Sequence, residues 1–66
     1  MPQTLDELAE LISERDNISY TEAMTAVRDC AAAMELAFMN GSLIQAEEAL
    51  ADYLGLEPDY LDLFIL

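Results

Sequence analysis

The chain has 66 residues, room for one domain around one core, and hydrophobic residues make up 55% of it, too many for a disordered acidic tail. Its 2 Lys+Arg against 14 Asp+Glu give a formal net charge of −12, which excludes the basic footprint that nucleic acid or an anionic membrane surface requires and leaves a basic protein surface as the natural partner. With no His and with Cys30 as the single cysteine, neither a zinc site nor an intrachain disulfide is available to a fold this small, so self-association is the remaining aid.

The first predicted helix covers residues 5 to about 15. Thr4-Leu5-Asp6-Glu7 reads as a capping box, in which Thr4 and Glu7 satisfy each other's backbone N–H groups. At about 100° per residue Leu5, Leu8, Leu11 and Ile12 share one side, and Asp6, Glu7, Glu10 and Glu14 the other. Asp6 and Glu7 also lie in the first turn, where the helix dipole favours negative charge. Asp16-Asn17 reads as the stop.

The second predicted helix, residues 20 to about 39, opens on the box Ser19-Tyr20-Thr21-Glu22 and ends at Asn40-Gly41. Tyr20, Met24, Val27, Ala31, Met34 and Phe38 follow the alternating four and three spacing of a helix-packing seam. Beside it runs a stripe of small residues, Ala23, Ala26, Cys30, Ala33 and Ala37, against which a second helix can approach closely. The far side starts polar and turns apolar at Ala32, Leu36 and Met39, so the C-terminal half of this helix is apolar nearly all round and needs a cover. Cys30 reads as an inert core thiol, and Met39 as the methionine free for recognition.

The third predicted helix, residues 43–54, starts at Ser42-Leu43-Ile44-Gln45 and stops at Gly55, a left-handed cap. It should bury Leu43, Ala46, Leu50, Tyr53 and Leu54, show Glu47, Glu48 and Asp52 to solvent, and strand Ile44 on the polar side. The fourth, from residue 58 to about 66, has Pro58 at its first position, where a missing N–H costs nothing. Leu61, Phe64 and Ile65 fall on its buried face, leaving Leu63 and Leu66 over on the side of Asp59 and Asp62. The expected fold is therefore all-α, a single domain over residues 1–66, built as a bundle of three to four short helices around a long central second one.

Without His or Lys, a nucleophilic triad or a lysine base has nothing to build on. The two glycines, Gly41 and Gly55, are both used as helix stops, so no phosphate loop exists, and the alternating ligands of a calcium loop are missing. No catalytic residue, cofactor or metal site is expected. No basic region followed by an apolar run opens the sequence, and charges interrupt every stretch approaching the roughly 20 residues of a membrane span, so the expected location is the cytoplasm.

The stretch Ala51-Asp52-Tyr53-Leu54-Gly55-Leu56-Glu57-Pro58-Asp59-Tyr60-Leu61-Asp62-Leu63, after Ala46-Glu47-Glu48, resembles small acidic helical proteins encoded in bacteriophage and prophage genomes. The resemblance implies a cytoplasmic, phage-type protein of the kind that acts on host proteins or mimics the charge of DNA. The expected function is binding or modulating a partner protein, including a basic nucleic-acid-binding one, through Glu47, Glu48, Asp52, Asp59 and Asp62, with Met39, Ile44, Leu63 and Leu66 as apolar contacts. The alternative is a homo-oligomeric structural or assembly component, with a homodimer buried around Ala32, Leu36 and Met39.

Overall fold

The structure, a computed structural model, describes residues 2–65. Its first three helices begin where a hydroxyl takes over an N–H that the first turn leaves without a partner. Thr4 opens α1 (Leu5–Asp16) by accepting from the Glu7 N–H at 3.1 Å. Ser19 opens α2 (Tyr20–Met39), and Ser42 opens α3 (Leu43–Ala49) by accepting from the Gln45 N–H at 3.2 Å. Of the three expected reciprocal boxes, one is complete: Ser19 accepts from the Glu22 N–H at 3.1 Å while Glu22 Oε1 accepts from the Ser19 N–H at 3.5 Å. At Thr4 the partner carboxylate instead accepts from the Thr4 hydroxyl, at 3.4 Å.

The stops lie where Asn17 and the two glycines place them. Asn17 sits in the left-handed region at φ 55°, and the Ser13 carbonyl accepts from the N–H groups of both Asn17 and Ile18. The Ser13 hydroxyl closes this reversal by donating to the Ile18 carbonyl at 2.6 Å. At the end of α2, Gly41 (φ 70°) donates to the Phe38 carbonyl and Ser42 to the Ala37 carbonyl, both at 2.9 Å, the paired bonds of a Schellman motif.

Both α1 and α3 pack on α2, which is the hub of the fold. Helix α1 contributes Leu8, Ala9 and Ile12 to the core, with Leu5 and Leu11 half-buried beside them. Along α2 the buried line is Ala23, Val27, Cys30, Met34 and Ala37, which corrects the expected seam. It runs between the two stripes read from the sequence and takes members of each, because a helix with partners on two sides buries the line between them. Tyr20 leaves the seam altogether: it is exposed, and its hydroxyl donates to Asp6 Oδ1 of α1 at 3.0 Å. The small residues do allow close approach, since Cys30 Sγ comes within 3.7 Å of the Ala49 carbonyl on α3 and 3.8 Å of Met34 Sδ.

The third helix departs from a uniform period. After Ala49 it widens into a π-helical turn, Leu50–Leu54, that ends on Gly55 at φ 64°, with the Leu56 N–H reaching back to the Leu50 carbonyl at 3.2 Å. A wider turn advances roughly 80° per residue instead of about 100°, so Leu54 stays above Leu50 while Tyr53 swings outward. Leu50 and Leu54 are buried and Tyr53 is exposed, which corrects the expected burial of Tyr53.

The fourth helix is likewise not one α-helix. Pro58–Leu61 forms a 3-10 turn, and α4 (Asp62–Ile65) follows it. The tighter turn, about three residues per repeat, breaks the angular count used on the sequence. Leu61 is buried, Tyr60, Leu63 and Phe64 are half-buried against the core, and Ile65 is exposed. The 3-10 turn packs on α3 and its π turn, and Ile65 of α4 lines the same groove as Phe38 of α2. The fold is all-α, with a long second helix and no strand among the described residues. A radius of gyration of 11.1 Å matches the roughly 11 Å of a fully compact chain this long.

Candidate functional site

Among the described residues the core holds no polar or charged side chain, and Cys30 is its one titratable group. Seven large hydrophobic side chains are exposed, and five of them (Leu36, Met39, Leu43, Ile44 and Ile65) come from the C-terminal half of α2, the start of α3 and the end of α4. The cause is local. Leu36 to Met39 and Leu43-Ile44 flank the tight turn Asn40-Gly41-Ser42, and two helices leaving such a turn can each bury only one side. Ala37 and Ala46 take the buried sides, and the larger residues are left outside.

Phe38, Leu43 and Ile65 line an open groove of roughly 440 Å³ in which three elements meet. Phe38 is half-buried on the groove side of α2, while Leu43 and Ile65 are 54% and 56% exposed. The sequence expected Leu43 and Ile65 on buried faces; both are exposed and line the groove instead. Each lining residue has an acidic residue one helical turn away on its own helix: Glu35 before Phe38, Glu47 after Leu43 and Asp62 before Ile65. Glu35 and Asp62 are exposed and Glu47 is half-buried, and none of the three is itself part of the groove lining.

Of the acidic residues expected to bind a partner, Glu47 and Asp62 thus lie one helical turn from a groove-lining residue. Glu48 stands one turn beyond exposed Ile44, Asp52 projects from the π turn, and Asp59 from the 3-10 turn. They form a dispersed negative surface: among the described residues no three acidic side chains are gathered closely enough to hold a metal ion. Of the expected apolar contacts, Met39 and Ile44 are 76% and 69% exposed. Leu63 is half-buried and packs on the core, a correction that follows from the 3-10 turn ahead of it, and Leu66 lies outside the described residues. Ala32, Leu36 and Met39 share the exposed outer side of α2, away from its buried line. Phe38, Leu43, Ile65 and Glu35 had not been singled out as surface residues. The available signal was the number of apolar residues packed around the turn at 40–42.

Positive charge does not reach this end of the molecule. Arg15, at the end of α1, donates through Nε and Nη2 to the Asp16 carboxylate at 2.8 and 3.0 Å, and through Nη2 to the Leu54 carbonyl at 2.7 Å. It thereby satisfies a carbonyl at the negative end of the π turn and ties α1 to the end of the third helix. These hydrogen bonds hold the Asp16 carboxyl below the ordinary carboxylate range. The same contacts to Asp16 raise the Arg15 pKa against the opposing effect of desolvation. This is the only ion pair among the described residues. Tyr20 is shifted up, chiefly because its hydroxyl donates to Asp6.

No protein-family model, curated protein or solved structure matches the chain. Its functional reading therefore rests on this surface. Two further grooves exist, one lined by Pro2, Leu11 and the acidic row Glu7, Glu10 and Glu14, the other by Leu11, Arg15, Leu56 and Tyr60 among others. Neither has the apolar floor of the first. No described helix is long and apolar enough to cross a membrane.

Proposed function

We propose that this protein is a non-catalytic, acidic protein-binding module that engages a basic partner through the apolar end formed by α2, α3 and α4. One observation carries this: five large apolar side chains stand exposed at that end of an otherwise closed core, within a molecule of net charge −12. Contiguous apolar surface rimmed by charge marks an interaction site, and negative potential steers and selects a positive partner. The resemblance to phage-encoded acidic proteins is consistent with a cytoplasmic role on a host protein, a basic nucleic-acid-binding protein included. A second reading is favoured by Ala32, Leu36 and Met39, whose exposed side of α2 is the surface a homodimer would bury. Pairing two copies brings like charges together, which opposes that alternative.

The test places a photo-crosslinking amino acid at Ile44 and, for comparison, at Glu22, both exposed and at different ends of the fold. In the native cell, position 44 should yield an adduct with one other protein and position 22 should not. Equal adducts from both positions, or none from either, would refute the module. An adduct of twice the chain mass from position 44, with a dimer mass by light scattering, would replace it with the self-assembly reading.

A further inference from the structure

We propose that the groove lined by Phe38, Leu43 and Ile65 receives a single amphipathic helix of the partner, with an apolar stripe on the groove floor and Lys or Arg on both flanks facing Glu35, Glu47 and Asp62. This rests on the protein-binding reading above and specifies its occupant. The floor is apolar and made of side chains from three helical elements. It presents no strand edge to which an extended peptide could add, so recognition comes from side chains laid into the groove, and an amphipathic helix supplies an apolar stripe with charges at fixed positions beside it. An acidic residue one turn from each lining residue on its own helix, Glu35, Glu47 and Asp62, makes the neighbourhood of the floor negative.

Among the described residues no cation offsets that field. Arg15 is committed to Asp16 and the Leu54 carbonyl. Arg28 lies ten residues before Phe38 on α2, about 15 Å along the axis, further than the roughly 8 Å over which exposed charges act at physiological salt. A second copy of this chain would bring an acidic rim against an acidic rim. A helix with basic flanks instead brings charge complementary to Glu35, Glu47 and Asp62.

The experiment uses the full chain, isotope-labelled for amide chemical shifts, and two synthetic helices of about 18 residues, long enough to hold helical structure. Both carry the same Leu/Ile stripe; one has Lys on its flanks and the other Glu. The Lys helix should bind, shifting amides around Phe38, Leu43 and Ile65, and the Glu helix should bind at least about tenfold more weakly. Leu43→Asp should weaken the Lys helix by roughly tenfold or more, with Ile65→Asp as a second variant should the first perturb helical circular dichroism. The double variant Glu35→Lys/Asp62→Lys should lose most of the salt dependence of binding, while Glu22→Lys should not. Equal binding of both helices, or shifts centred on the Pro2–Glu14 groove, would overturn the proposal. If the crosslinker at position 44 captures a partner while the Lys helix does not bind, the occupant is wrong and the module stands; if both experiments fail, both readings fall.

Discussion

Raising the pH should unfold this protein through a thiol that touches no water. Cys30 is fully buried on the core line of α2, and burial pushes its pKa from 9.0 up to about 11. In the unfolded chain the thiol ionises near its ordinary value, whereas in the folded chain it stays protonated over the next two units. The stability contributed by the protonated thiol is therefore fully present below about pH 9 and is lost as pH rises through the folded value near 11. At about 1.4 kcal/mol per unit, the loss amounts to about 2 to 3 kcal/mol, a large part of the stability of so small a domain. Removing the sulfur as Cys30→Ala should cost about 1 kcal/mol at neutral pH for the cavity left behind, and that cost does not titrate. Urea unfolding followed by helical circular dichroism, at steps from about pH 8 to about pH 11, should show the gap between wild type and variant closing and then changing sign. Tyr20, also shifted upward, titrates in both proteins and cancels from the difference. Parallel curves for the two proteins would refute the reasoning.

Leu50→Ala, at a fully buried position in the π turn, should cost about 2 to 5 kcal/mol and leave the domain largely unfolded by circular dichroism, whereas Ile44→Ala at an exposed position should change stability by under about 0.5 kcal/mol. Gly41→Ala meets no atom within 4 Å, so its cost of about 1 kcal/mol in chemical unfolding should be purely conformational, from φ 70°, and Gly41→Asn should cost less. Arg15→Met keeps the alkyl stem and removes the hydrogen bond to the Leu54 carbonyl, so thermal melts should show a loss of about 1 kcal/mol, and amide exchange should speed up first around Gly55. Added salt should raise the melting temperature steadily, because a charge of −12 strains the compact state; a melting temperature that falls with salt would show that repulsion is not limiting.

The sequence was most legible where one period and one cap governed an element. Helix α1 has a single apolar face, a threonine start and an asparagine stop, and the structure follows all three. In α2 both stripes were visible, but neither was the core line, since the choice between them is made by two neighbouring helices whose positions a local pattern does not contain. The π turn at Leu50–Leu54 left no mark in composition, because burying Leu50, Leu54 and Leu56 together is a tertiary demand that the backbone met by widening. Pro58 announced the start of the last element correctly, while the 3-10 geometry after it invalidated the face assignments of Leu63 and Ile65. Surplus apolar residues such as Leu36, Met39 and Ile44 could be counted along the chain. A groove shared by Phe38, Leu43 and Ile65 could not, since those three residues are brought together only by the turn at 40–42 and the return of the last element.

That surplus does not come from loose packing, and this bears on what it is for. The chain is as compact as its length allows and no polar side chain is buried among the described residues, so the apolar side chains at the α2–α3 end were not excluded by a poorly formed core. They are outside because α1 and α3 take the buried line of α2, from Ala23 to Ala37, and among the described residues the outer side carrying Ala32, Leu36 and Met39 is left uncovered. Exposing Leu36 at 63%, Met39 at 76% and Ile44 at 69% forgoes hydrophobic stabilisation, and polar residues at these three positions would leave every core contact in place. Meanwhile the acidic residues bordering that end oppose nonspecific association by mutual repulsion. On the proposed reading, exposed apolar surface together with a repulsive charge would favour a partner of opposite sign over a second copy of the chain, which is the selectivity a binding module requires.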